Sequence, residues 1–275
     1  MVNFVILLKK NLIEMVRNKR IIIFSIAFVA ISLISAVMAK FLPELFKWLF
    51  DTLGEDGTNI GMMIGDASVA DSYVQFVSNV TEIMVLLIII FFTGTIIKEK
   101  KTGTYDNLKM NGVKDHEIVL AHFVAQVILV TLSYIVGVAF FVLLNILLFR
   151  QIMGIRGVVA LLYIYLTMLF VIAASLFVGC LFKKNFWAYF LAIIGYFALS
   201  FVDIIPHINK FNPFHLLTIS MNLMYSESYS LSEHLITSIV TVLLTAGLVI
   251  VSLFIVKNKI NNRKEITSEN NSEGI

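Results

Sequence analysis

The stretch IMVLLIIIFFTGTII, residues 83–97, runs directly into KEKKTGTYDNLKMNGVKDHE, residues 98–117. The first part holds no charged residue, and its apolar positions do not alternate with polar ones, so no face is reserved for water. Lipid is the solvent that accepts such a segment. The second part reverses the chemistry at once: it is polar and rich in lysine. A buried greasy rod ending in a basic loop is the pattern of a helix that leaves a bilayer on the positively charged side.

The same reading extends outward. Runs at 21–38, 118–149, 157–182, 186–202 and 235–256 are also long and uncharged. A hydrocarbon core about 30 Å thick is crossed by roughly 20 apolar residues in a helix, so these runs and 83–97 make six spans. The run at 83–97 is short by itself and needs a turn from 77–80 or a continuation past Lys98. The run at 118–149 is long enough to tilt or to project. Across the 275 residues, 59% are hydrophobic and 14% charged, and the mean hydropathy is +0.92, far from a soluble domain. The single cysteine, Cys180, excludes an internal disulfide and a multi-cysteine metal site.

With the N-terminus inside, only Lys40, Lys47, Arg150, Arg156 and Lys210 of the 21 Lys and Arg fall on the far side. The positive-inside rule therefore places both termini in the cytoplasm of a multi-pass protein of the cell membrane. Residues 1–20 form a basic amphipathic helix in the headgroup region, with Val5, Leu8, Leu12 and Val16 on one face and Lys10, Asn11, Glu14 and Arg17 on another. Residues 21–256 form the six-span domain, and the polar tail 257–275 is expected to be disordered. Residues 39–82 read as an outer loop and 203–234 as an outer hairpin, within which 216–223 is apolar enough to dip back as a re-entrant helix. The fold class is all-α.

In the basic loop, Gly103 breaks the helix leaving the second span and Thr104 can cap a new one. That helix runs from Tyr105 to Met110 and stops at Asn111-Gly112, while Asp115 caps the third span. A helix this short is unstable in water unless it packs against something. It presents Tyr105, Leu108 and Met110 beside charges. The order Glu99-Lys-Lys-Thr-Gly103-Thr104, a short helix, then a capped third span resembles the E-x-x-x-G-T segment of ABC-2 type transporter permeases. Phe211-Asn-Pro-Phe214 is similar to the turn in that family's interrupted hairpin. The resemblance implies that Glu99, Gly103 and Thr104 are motif positions and that Tyr105, Asp106, Leu108 and Met110 belong to a coupling helix. It also implies a separate nucleotide-binding ATPase subunit carrying ATP and Mg, and a second permease chain completing a dimer. The chain would move a hydrophobic or amphipathic substrate outward.

The residues agree with an energy source outside the chain. No G-x-x-x-x-G-K-[ST] loop occurs, and Gly54 to Gly65 lack the following lysine. Within these span boundaries no Asp, Glu, Lys or Arg is available to an ion-coupled carrier. An intramembrane protease of the CAAX-processing type needs paired glutamates and histidines inside spans, where only His122 stands, and no metal-ligand or catalytic cluster is evident. No nucleic-acid partner is expected. His122, Gln126 and Asn145 in the third span are candidate path-lining residues, although helix-to-helix hydrogen bonds explain them as well.

Overall fold

The computed structural model describes residues 2–52, 66–151, 154–225 and 231–272, and every regular element among them is helical. The glycine-containing stretch 54–65 lies outside the described residues. A helix α1 (Val2–Arg17) precedes α2 (Arg20–Asp51), the first span. The second span is built from α3 (Val69–Asn79), a π-helical turn (Val80–Met84), α4 (Val85–Phe92) and α5 (Thr95–Lys101). The short α6 (Thr104–Met110) leads to α7 (Asp115–Phe149), α8 (Ile155–Leu181) and α9 (Asn185–Val202). A 3-10 turn (Asn209–Phe211) and α10 (His215–Tyr225) then precede α11 (Leu231–Ser272). Six of these helical rods are long and apolar enough to cross a membrane.

Two boundaries depart from the sequence reading. The expected outer loop 39–82 is mostly helix: α2 runs on to Asp51 with Pro43 inside it, and the second span begins at Val69. Tyr73, Phe76 and Val77 explain the second change, because they are buried in the main core and Phe76 stacks on Phe141 at 4.3 Å. Long helices of 31 and 33 residues reach about 45–50 Å, more than the hydrocarbon needs. The second helix consequently carries Glu82 and Glu99, which the shorter reading of that span left out. α11 extends to Ser272, and no Gly or Pro interrupts 257–272.

Phe24 and Phe28 of α2, Phe92 of α4, Phe141 of α7 and Ile164 of α8 share one core cluster. Small residues bring the backbones close. A Cβ on Gly137 would lie 2.5 Å from Phe28 Cβ, and one on Gly179 would lie 2.4 Å from the Thr93 carbonyl oxygen. Polar side chains tie the same contacts: Ser32 Oγ donates to the Gly137 carbonyl at 2.9 Å, and Asn79 Nδ2 to Ser35 Oγ at 2.9 Å. Around the π-helical turn of the second span, Tyr196 Oη of α9 donates to the Thr81 carbonyl at 3.3 Å.

The segment after α9 is fixed by hydrogen bonds. Asp203 accepts from His215 Nδ1 at 2.7 Å and from Thr218 Oγ1 at 2.5 Å. Burial pushes the Asp203 carboxyl up, but those bonds outweigh it and hold it below its ordinary range. Asn212 donates to the Leu199 carbonyl at 2.7 Å and accepts from Phe214 N at 3.1 Å, which shapes the Asn-Pro turn. Helix α10 buries Leu216, Leu217, Ile219, Ser220 and Leu223. In contrast, Ala188 is the one buried residue of α9, whose Phe186, Trp187, Phe190, Phe197 and Phe201 face outward.

Gly179→Ala drives a methyl into backbone and should lower stability by about 1–3 kcal/mol in thermal unfolding of the detergent-purified protein. Gly195→Ala, with nothing within 4 Å of its added Cβ, should be neutral or stabilising. Equal effects at the two positions contradict the close contact between α8 and the second span.

Candidate docking site at the lysine-rich end

Gly103 takes φ 71°, a left-handed conformation that glycine alone adopts without strain, and there the chain turns out of α5 into α6. Gly103, not Thr104, is the N-cap; its carbonyl accepts Asn107 N at 3.0 Å, and Thr104 Oγ1 instead lies 3.0 Å from Thr102 Oγ1. At the other end Gly112 sits at φ 79°. Gly112 N bonds the Lys109 carbonyl at 2.9 Å and Val113 N the Leu108 carbonyl at 3.1 Å, a Schellman pair. Lys114 is the N-cap of α7, and its N–H donates to Glu117 Oε2 at 3.1 Å.

Asp115 was expected to cap α7, but its carboxylate is used elsewhere. It accepts the Tyr105 hydroxyl at 2.7 Å and lies 3.2 Å from Lys109 Nζ. Tyr105 is buried in a cluster with Leu7, Ile96, Ile118, Leu176, Cys180 and Val256, and Lys100 Nζ lies 5.3 Å from its ring centroid. Burial, and then the Asp115 carboxylate, push the Tyr105 phenol up, so it remains a hydrogen-bond donor at neutral pH. Tyr105 is therefore the foot of α6 and not part of a presented face. Helical spacing accounts for this: Tyr105 and Leu108 are three residues apart and share the inner side, whereas Met110 is turned about 140° from Tyr105. Asp106, Asn107 and Met110 make the exposed face, with Met110 77% exposed and Leu108 half-buried.

Glu99 is buried too, at 7% exposure. Its Oε1 accepts Lys10 Nζ at 2.5 Å and its Oε2 accepts His122 Nε2 at 2.8 Å. One carboxylate thus joins α1, the end of the second span and the start of α7. A carboxylate removed from water costs several kcal/mol unless paired on both sides, and here each oxygen has a donor. The face of α1 that meets the bundle is Leu7, Asn11 and Met15, flanked by Lys10, while Val5, Ile6, Ile13 and Val16 are exposed. Asn11 was expected on the polar face, yet it is 3% exposed. α1 has an apolar stripe for the bundle and a second apolar stripe on its opposite side.

The three polar residues of the third span do not come together. His122 serves Glu99; Gln126 is fully buried with neither amide atom hydrogen-bonded among the described residues; Asn145 donates to the Phe141 carbonyl of its own helix at 2.9 Å. His122 and Asn145 stand about 35 Å apart along α7. Sequence reasoning missed Lys10 as the partner of Glu99, and Asp203 as the partner of His215 and Thr218. Only the recurrence of Leu7, Asn11 and Met15 every four residues signals the buried side of α1.

Lys10→Met and Glu99→Gln should be strongly non-additive in thermal unfolding, with a coupling of about 1–3 kcal/mol. Additive losses contradict a direct bond between α1 and the second span.

The family model described as "ABC-2 family transporter protein" matches residues 55–256, which takes in the second to sixth spans and the whole of α6. No match was found among curated proteins. A match over well over half of the chain, on a six-span helical bundle, shows that this chain belongs to the ABC-2 transporter family as a membrane permease component of the ABC type.

Proposed function

We propose that this chain is the membrane subunit of an exporter in which α6 receives force from a separate ATPase subunit and passes it to the second and third spans. The observation that carries this reading is the build of α6. A seven-residue helix is closed by Gly103 and Gly112 and footed by Tyr105, leaving Asp106, Asn107 and Met110 exposed. The rigid foot supports transmission, and the exposed methionine beside polar groups supports docking in a groove. The lysine-rich end is the cytosolic one by the positive-inside rule, which puts both termini and α6 where ATP is. ATPase subunits of this kind act in pairs, and one docking helix per chain then calls for two permease chains.

The cargo this reading favours is hydrophobic or amphipathic. An apolar cavity of about 220 Å³ lies between the second, fourth and fifth spans, lined among others by Val85, Ile89, Phe170, Leu191, Tyr196 and Phe214. The Asn212 turn and α10 form the floor of an interrupted hairpin that reads as re-entrant from the far side. ATP binding would close the paired ATPases, shift α6 and tilt the spans to open outward.

Glu99 paired with His122 raises the rival reading of an intramembrane hydrolase. Lys10 argues against it: a cation on Glu99 Oε1 occupies the lone pairs a metal ion would use, and no group of three metal-ligating side chains occurs among the described residues.

Met110→Asp should lower the ATP hydrolysis of the assembled transporter about tenfold and weaken co-purification of the ATPase, without shifting the melting temperature of the permease. Normal stimulation in this variant contradicts docking through α6.

A further inference from the structure

A second feature at the lysine-rich end is not explained by docking. A half-open cavity of about 350 Å³ lies between the first turn of α7 and the distal part of α11. Lys114 and His116 line it from α7; Ile250, Leu253, Phe254 and Lys257 line it from α11. The four residues of α11 recur at the three- and four-residue spacing of one helix face, so an apolar stripe runs along the span and ends in an ammonium group. Asp115 also lines the cavity, but its carboxylate is taken by the Tyr105 hydroxyl and Lys109. Among the described residues no carboxylate pairs with Lys114 or Lys257. The positive end of the 35-residue helix α7 adds to the local field.

We infer that this cavity binds one anionic glycerophospholipid, its phosphate held between Lys114 and Lys257 and an acyl chain lying along Ile250, Leu253 and Phe254. Charge complementarity selects the headgroup, since two cations without a carboxylate partner among the described residues line a space where Asp115 is already engaged by Tyr105 and Lys109. The apolar stripe selects a lipid over a soluble anion. A free phosphate would leave exposed apolar surface uncovered, whereas an acyl chain covers it at the depth where α11 enters hydrocarbon. Asp115 is shared between the rim of this cavity and the foot of α6, so an occupied site would brace the docking helix.

The inference rests on the cytosolic placement of this end only for the source of the lipid, and its test does not depend on it. The full-length chain, purified in detergent, is mixed with phosphatidylglycerol or with phosphatidylcholine of the same acyl chains, and retained lipid is counted by native mass spectrometry. The wild-type chain should hold one phosphatidylglycerol with an affinity lowered on the order of 30-fold in Lys114→Gln/Lys257→Gln, and little changed in Lys114→Arg/Lys257→Arg. Lys183→Gln/Lys184→Gln removes the same charge from exposed positions elsewhere and should bind like wild type. Equal losses in the two Gln pairs, equal retention of phosphatidylcholine, or full displacement by millimolar inorganic phosphate would each overturn the inference. Melting temperatures of the variants separate loss of the site from loss of the fold. Sidedness is read separately, by labelling a cysteine placed at Asn107 in intact cells.

Discussion

The buried carboxylate of Glu99 is the contact on which the lysine-rich end depends. It accepts from Lys10 on one oxygen and His122 on the other, so α1, the end of the second span and the start of the third are held at one point. Each partner alone would leave part of a charge stripped of water, and the pair together compensates it. Directly beyond it, Gly103 turns the chain and Tyr105 anchors the short helix into the cluster of Leu7, Ile96 and Val256. The short helix α6 is consequently mounted on α1, α5, α7, α8 and α11, not suspended from a loop. Under the proposed docking, thrust on its exposed face would reach α1, α7 and the second span together.

The second span is the hub through which such a displacement would travel. It packs with α2 on one side and with α8 and α9 on the other, and it is interrupted twice. The π-helical turn at Val80–Met84 meets Tyr196 of α9, and the break at Thr93-Gly94 meets Gly179 of α8 and Tyr189 of α9. Interrupted helices bend where their hydrogen-bond ladder is already irregular. The apolar cavity between the second, fourth and fifth spans lies beside these places, so a change in the bend changes its shape. α9, with Ala188 its one buried residue and Ala192, Ile193, Tyr196 and Leu199 only partly buried against the core, is the span with the least holding it among the described residues.

How much of this the sequence disclosed follows from which forces act locally. Uncharged runs gave six spans because the cost of a charge in lipid is paid residue by residue and needs no knowledge of neighbours. Gly103 and Gly112 were legible because left-handed turns select glycine. Helix lengths were not legible at 39–51 and 69–76: Tyr73 and Phe76 extend the second helix through tertiary packing with Phe141, and no local pattern records that partner. The facing of α6 could have been read from helical spacing alone, which sets Tyr105 against Met110. The role of Glu99 could not, because its partners lie 89 residues before it and 23 after it, and nothing in K-E-K-K distinguishes a solvated glutamate from a buried one.

The proposed transmission requires that Glu99 couple α1 to α6. Amide hydrogen exchange on the purified full-length chain reads this directly, by comparing wild type with Glu99→Gln over residues 4–16, 104–112 and 160–176. With that coupling in place, 4–16 and 104–112 gain exchange together, by about tenfold or more, while 160–176 within α8 stays unchanged. Exchange that rises in 4–16 alone, with 104–112 as protected as before, would contradict it.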